Sequence, residues 1–529
     1  MNQPADPTLA IASESLDECV SEPMPALGNP LDRSLARSVA WNAASDWGTQ
    51  IFTWLAFLEV MRLLTPADFG VAALAIILMP YLGQITGFGI PRAVVALPPL
   101  SDDQLSQLTT FNLISGCLCF LLGVIIAKPF AAFFRTPALA PVFIVACGGL
   151  ILSALSGVPG ALLAKEMRFR LLSVLGVTTT LLGAAVTLGM ALSGFGYWAL
   201  ILGNMFAGFV RTVVILRVRP CKLAWPRLGS IREPLRFGWQ MSVSLVALNS
   251  YERLDNFVAG RMLGQSALGL YGNAWELANV PLEKIASMVT TVIPTYLAAV
   301  QNDPAELRRY LRGLTEIIAL AAFPACIGLG LVAREFVPLI FGHKWDGMIA
   351  PLQVLSFYAA FRSIVALLPK VLTAVGNIRY VMWNDLVALI ILPIAFYIGS
   401  SRGIAGIAWG WVAAYPVVIL PLYWKTFRTI EMKTGDYLRA LRPALSGTIA
   451  MIPAVEWLKY RLPPARPLLL RLILEVAVGA FVYLGILRLL HGERVLAIIQ
   501  TAKYLRPGKV RLPGTSVETK RSASDRPKD

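Results

Sequence analysis

The chain has 529 residues, of which 56% are hydrophobic and only 15% charged, with a mean hydropathy of +0.65. Soluble domains carry about 25% charged residues, so a soluble multidomain enzyme is a poor description, and the 42 Gly and 35 Pro are too scattered for a collagen-like chain. The net charge of +16 comes without a basic stripe interleaved with stacking aromatics, which points to the basic inner loops of a membrane protein rather than to nucleic acid.

Residues 1–34 are polar and acidic (Asp6, Glu14, Asp17, Glu18, Glu22). They lack the basic start and apolar core of a secretory signal and are expected to form a cytoplasmic tail. Fourteen apolar stretches follow. Their windows are 38–61, 68–90, 108–127, 139–161, 172–192, 197–216, 237–259, 268–300, 313–333, 349–375, 381–400, 404–424, 443–460 and 468–490. Each is close to the roughly 20 residues a spanning helix needs. A barrel strand would alternate instead, so all are predicted helical. The expected fold is an all-α polytopic membrane protein of about 14 helices. An N-lobe would occupy 35–218, a basic linker 219–236, a C-lobe 237–428, two added helices 429–490, and a basic cytoplasmic tail 491–529.

Loop charge sets the orientation. Even-numbered loops hold Arg92; Lys165, Arg168 and Arg170; Arg217, Arg219, Lys222, Arg227, Arg232 and Arg236; Arg308, Arg309 and Arg312; Arg379; and Lys425, Arg428, Lys433, Arg439 and Arg442. That is about 19 basic residues against about 10 in the odd loops, so the even loops and both termini are expected inside. The longest odd loop is expected around 334–348, with Trp345 as an interfacial anchor. Two histidines, and six cysteines without a CxxC, indicate neither a metal site nor a disulfide framework; no cofactor is expected.

The chain repeats itself. Arg62, Leu64, Phe69 and Gly70 align with Arg261, Leu263, Leu268 and Gly269 at a constant offset of about 199 residues. Each block follows a long apolar helix and opens the next. Six spans separate the blocks, so the two lobes share orientation, a parallel-repeat transporter pattern.

Several stretches resemble bacterial polysaccharide flippases of the multidrug/oligosaccharidyl-lipid/polysaccharide (MOP) superfamily. They are Arg62-Leu-Leu-Thr-Pro-Ala-Asp-Phe-Gly70, Thr86-Gly-Phe-Gly-Ile90, Lys165-Glu-Met-Arg-Phe-Arg170 and Leu254-Asp-Asn-Phe-Val-Ala-Gly-Arg-Met-Leu-Gly264. Ala267–Tyr271, Leu277–Pro281, Pro324 with Gly328, and Phe341–Trp345 follow in family order. The resemblance covers roughly 35–430. It implies two six-helix lobes around a central cavity plus two further helices. It also implies movement of undecaprenyl-pyrophosphate-linked sugar units across the inner membrane for exopolysaccharide, capsule or O-antigen synthesis. The implied partners are the lipid-linked oligosaccharide, membrane lipids, and polysaccharide polymerase and export proteins.

Polar groups inside the spans are the candidate site residues, because intramembrane charge is costly and by default functional. Arg362 is the first candidate for the pyrophosphate, since guanidinium matches it bidentately; a buried pair with a carboxylate on another helix is the alternative. Arg253 has the same two readings, with Glu252 and Asp255 as neighbours that would neutralise it. Arg92 sits at an inner mouth. Asp46 is a candidate coupling-ion residue or a hydrogen-bond partner of Asn42. Glu276 and Glu283, one heptad apart, line a cavity or make a polar helix contact. Gln50, Asp385 and Glu475 complete the set. Arg62 and Arg261 lie at helix ends, where snorkelling and capping suffice. No Walker A motif and no large catalytic domain is present, so the chain reads as a transporter, not an enzyme. A cation-coupled drug exporter of the same superfamily and a membrane polysaccharide polymerase or ligase are the competing readings.

Overall fold

The structure is a computed structural model that describes residues 49–249, 253–290, 303–463 and 466–504. Its elements are α1 (49–63), α2 (Pro66–Ile76), α3 (Met79–Gly87), α4 (Ile90–Ala96), α5 (Asp102–Phe133), α6 (Leu139–Lys165), α7 (Phe169–Leu192) and α8 (Tyr197–Val218). There follow α9 (Arg232–Asn249), α10 (Leu254–Leu263), α11 (Gln265–Thr290), α12 (Pro304–Ile340), a 3₁₀ turn (His343–Met348), α13 (Ile349–Val365) and α14 (Leu368–Ala374). Last come α15 (Ile378–Ser400), α16 (Gly403–Thr429), α17 (Thr434–Arg461) and α18 (Leu468–Tyr504). The chain is an all-α polytopic membrane protein. Ten of the expected windows coincide with helices long and apolar enough to span. Large apolar side chains such as Leu118, Ile125, Ile390, Ile398 and Phe481 point outward, as lipid-facing helices require. Of the other four windows, 443–460 lies within α17, and 38–61, 237–259 and 268–300 lie partly outside the described residues.

Local chemistry explains where helices start. Thr65 and Asp68 form a reciprocal capping box with Pro66 in the first turn of α2, so two orphan N–H groups are satisfied where the fixed proline φ is already helical. Asp68 has a second role: its Oδ1 accepts from the backbone N–H of Tyr197 at 3.2 Å, at the start of α8. Ser101 and Gln104 cap α5 in the same way. Asp303 accepts from Ala305 and Glu306 at the start of α12. The span made of α2 and α3 ends, and α4 begins, where Phe88 and Gly89 take positive φ values of 43° and 62°.

One expectation is corrected. The loop expected at 334–348 is helical: α12 runs to Ile340 and the 3₁₀ turn starts at His343. Its charges suggested a loop, but Glu335 is buried against Arg471, so the helix continues through them. The last span, Leu468–Gly492, agrees with the expected 468–490, and α18 continues to Tyr504 beyond a non-helical break at His491.

The end where Lys165 reaches the carbonyls of Val94 and Leu97, and Arg308 those of Ile430 and Glu431, is called the basic end. The opposite is the far end. Helices α5, α6, α7 and α8 pack on one another, as do α12, α13, α15 and α16 with α10 and α11; α17 and α18 pack on α12. The two groups meet chiefly along α2 and α11.

Candidate functional site

Three neighbouring cavities follow one another, the first two between the two groups and the third among α1, α7 and α8. The first, about 320 Å³, is lined by Gln50, Thr53 and Trp54 of α1 and by Asn273, Glu276 and Glu283 of α11. The second, about 220 Å³, adds Arg253, Asn256 and Asn204 and shares Asn273 and Glu276 with the first. The third, about 430 Å³, holds Thr179, Thr180, Thr187 and Arg211 and shares Thr53 and Phe57 with the first and Asn204 with the second. Amide, hydroxyl, carboxylate and guanidinium groups are thus set into the otherwise largely apolar walls of three adjoining cavities. Such groups can replace the water around a sugar head, whose hydroxyls would each lose about 4–8 kcal/mol in hydrocarbon without a partner.

A fourth space is more apolar still. An apolar groove of about 760 Å³ runs between α11, α12, α17 and α18, lined by groups such as Leu329, Val332, Phe336, Val476 and Leu484. Trp54, Leu277 and Val280 line both this groove and the first of the three cavities. Trp54 thus stands where the greasy and polar compartments meet. Its ring lies edge-on to Phe57, which continues through Phe69 to Trp345 as a chain of edge-to-face contacts.

The far end of the interface is sealed by matching parts of the repeat. A Cβ on Gly70 would sit 1.8 Å from the Gln265 carbonyl oxygen, and one on Gly269 would sit 1.8 Å from that of Pro66. Residues 66 and 70 differ from 265 and 269 by the same 199, so the contact is reciprocal, as a pseudo-two-fold axis demands. Only glycine allows backbones this close. The flanking arginines follow suit. Arg62 Nε donates to the Ile340 carbonyl at the end of α12, at 2.8 Å. Arg261 sits 4.9 Å over the ring of Phe133, the last residue of α5. Lys344 donates to the carbonyls of Arg62 and Leu64, each at 2.6 Å. Trp345, expected as an interfacial anchor, is instead fully buried and donates to the Met61 carbonyl at 2.9 Å. Its indole N–H finds a backbone acceptor across the interface, which removes any need for the membrane surface. At the basic end, Gly89 and Gly238 make a second backbone-to-backbone approach, and Phe88 stacks on Trp239 at 5.3 Å.

The structure sorts the sequence candidates. Arg253 and Glu276 face the cavity together, and Arg253 and Glu283 are the charged groups acting on Glu276. Asp255 is drawn away from the cavity. It is fully buried, accepting from Tyr271 Oη at 2.8 Å, Trp411 Nε1 at 3.0 Å and the Asn256 N–H at 2.7 Å. It ties α10 to α11 and α16. Arg362 on α13 donates to Asn279 Oδ1 at 3.2 Å and lies 5.8 Å over Trp275, both on α11. Arg92 is exposed on α4 and donates to Gln84 at 3.2 Å. Asp46 and Glu252 lie outside the described residues. Arg211 was not a sequence candidate, although a charge inside the apolar window 197–216 is the same signal that selects Arg362. Trp54 and the threonines of α7 carried no such signal. Among the described residues, no group of three or more His, Cys, Asp or Glu is placed to hold a metal.

Comparison with known proteins supplies the family. Residues 60–350 match the profile of a family described as polysaccharide biosynthesis protein. The chain is 24% identical to the lipopolysaccharide biosynthesis protein WzxC of Escherichia coli (strain K12), over 69% of this chain and 77% of that one. It is 23% identical to the succinoglycan biosynthesis transport protein ExoT of Rhizobium meliloti (strain 1021), over 90% and 97% respectively. Among solved structures it is similar to the lipid II flippase MurJ in an inward closed conformation. The TM-score is 0.69 at 13% identity, covering 86% of this chain and all of that one. At that identity the likeness is one of fold.

Proposed function

Since the chain belongs to the polysaccharide biosynthesis protein family, we propose that it is a flippase for undecaprenyl-pyrophosphate-linked oligosaccharide repeat units. It would move them across the bacterial inner membrane by alternating access, for exopolysaccharide, capsule or O-antigen synthesis. The observation that carries this reading is the junction at Trp54, where an apolar groove shares a wall with a cavity that holds Gln50, Asn273, Glu276 and Glu283. A lipid-linked sugar is itself a greasy tail joined to a polar head. In this reading the head occupies the neighbouring cavities and the tail stays in the groove or the adjoining lipid, so neither part changes solvent during the crossing.

The basic end faces the cytoplasm, following the charge of its loops. Arg92 at that mouth meets the pyrophosphate first. Arg253 then takes it in the cavity, exchanging its neighbour Glu276 for the substrate anion, and Arg362 supports it through Asn279. Glu276, with Asp46 and Glu252, is the candidate for cavity chemistry or ion coupling. The reciprocal glycine seal is the far gate, and rocking of the two lobes about the interface opens it. Polymerase and export proteins would take the product. A cation-coupled drug exporter would need the cavities but not the groove, so the groove favours the lipid-linked substrate.

A lipid-linked oligosaccharide carrying a photoactivatable group on its prenyl tail tests this reading in nanodiscs. Crosslinks should concentrate on groove residues of α12 and α18, such as Val332 and Val476, and compete with unlabelled lipid-linked sugar. Crosslinks spread evenly over the lipid-facing helices, without competition, would refute it.

A further inference from the structure

The last two helices hold a charged cluster that the transport path leaves unused. Arg471 and Glu475, one turn apart on α18, face Glu335 on α12, and Lys459 reaches in from α17. Arg471 Nη2 donates to Glu335 Oε1 at 2.9 Å, with both side chains largely withdrawn from the surface. Lys459 donates to the Leu331 carbonyl and to Glu456 at 3.2 Å. This leaves Glu335 Oε2 and both carboxyl oxygens of Glu475 buried without a donor. Glu475 is 0% exposed, and its wall of the groove is otherwise apolar: Leu331, Val332, Leu472 and Val476. The charged groups acting on it are Glu335 from α12, Lys459 from α17 and Arg471 from its own helix. The opposite wall, α11, contributes Leu277, Val280 and Pro281.

Three buried acceptors without a donor are costly, and a bare carboxylate in an apolar wall is costlier still. A proton removes the bare charge and turns one of the three acceptors into a donor for a second. A neutral Glu475 gains an O–H, and Glu335, within hydrogen-bonding reach, offers the unused acceptor. Arg471 keeps Glu335 charged, so the pair holds one proton between two carboxyls, an arrangement that adjacent carboxylates favour. A metal cation is a worse occupant, because Arg471 and Lys459 would repel it.

We propose that Glu335 and Glu475 form a proton-binding site in the wall of the groove. Glu335 lies in the last two turns of α12, and Arg471 in the first turn of α18. The site is therefore near the far end and exchanges protons with the solution there. With the proton bound, α18 is joined to α12 by a carboxyl–carboxylate hydrogen bond. Without it, two like charges face each other across the groove wall and push the helices apart. The proton thus sets the width of the groove. The sign follows directly: acid on the far side closes the groove, and loss of the proton opens it.

The test uses the full chain in nanodiscs and does not read transport, so its failure is distinguishable from failure of the flippase reading. Infrared difference spectra across a pH step should show a protonated-carboxyl band that is lost in Glu475→Gln and shifted in frequency in Glu335→Gln. Spin labels at Ala321 of α12 and Phe481 of α18, both exposed, should move apart as pH rises in the otherwise wild-type chain. In Glu475→Gln, whose amide mimics the neutral acid, they should stay at the short distance at every pH. A band that survives Glu475→Gln, or a wild-type distance that ignores pH, overturns the proposal. Glu335→Gln keeps the infrared test decisive if Glu475→Gln fails to fold: an unshifted band there overturns it as well.

Discussion

Gly269→Ala probes the far gate by a single methyl group. The added Cβ would lie 1.8 Å from the Pro66 carbonyl oxygen, and real Cβ atoms essentially never come within 3.0 Å of another heavy atom. The helices must therefore separate by at least about 1.2 Å, the difference between those two distances. Backbone cannot rotate out of the way as a side chain would. Overpacking of this kind costs about 1–3 kcal/mol, and the cost falls only on the sealed state. The sealed population should drop about five- to 150-fold relative to states with the far end open. Gly70→Ala should have the same effect by symmetry, because its Cβ meets the Gln265 carbonyl at the same distance. Electron–electron distance measurements between labels at the exposed positions Leu63 and Met262, in a background without the native cysteines, read the gate directly. The sealed distance should lose population in both variants. A distribution identical to that of the parent would refute the claim that these glycines seal the far end.

Other substitutions address separate parts of the account. Asp255→Ala leaves Tyr271, Trp411 and the Asn256 N–H without their acceptor and should cost about 2–4 kcal/mol of stability. Chemical denaturation in detergent would show it, with Asp255→Asn losing less than half as much; an Asp255→Ala variant as stable as the parent contradicts the anchoring role. Trp54→Ala removes an aromatic contact worth about 0.5–1.5 kcal/mol beyond its area. It should slow flipping about two- to tenfold with little change in melting temperature, and an unaltered rate would place the junction elsewhere. Arg62→Gln and Lys344→Gln each remove a donor to backbone carbonyls across the far seal. Each should shift the Leu63–Met262 distance toward the open state by less than Gly269→Ala does, since both cations are partly exposed and solvent replaces part of what is lost.

Much of this architecture is legible in the sequence, and the reasons are physical. Apolar length alone locates ten spans, because lipid forces every spanning backbone to satisfy itself locally. The 199-residue offset between Gly70 and Gly269 is readable as a repeat, and its consequence, a reciprocal glycine contact, follows only once the lobes face each other. What the sequence does not carry is the identity of each side chain's distant partner. Trp345 looks like a membrane-surface tryptophan until Met61 is found beside it, 284 residues away. Asp255 looks like a cavity acid until Tyr271 and Trp411 enclose it. Glu335 looks like part of a loop until Arg471 pairs with it from another helix. Charge inside an apolar window marks that something is there, for Arg211 as for Arg362, but periodicity cannot say which face meets water.

The measurement closest to the central claim is flipping itself. Purified protein would be reconstituted into vesicles containing undecaprenyl-pyrophosphate-linked oligosaccharide, and the head groups accessible from the far leaflet counted over time with a membrane-impermeant glycosidase or lectin. The account predicts that exposure rises with the protein present, falls when Arg253 is replaced by glutamine, and falls further when the far seal is locked by a bifunctional thiol crosslinker joining cysteines at the exposed positions Leu63 and Met262. Head-group exposure no faster than in protein-free vesicles, or unaffected by the locked seal, would contradict it.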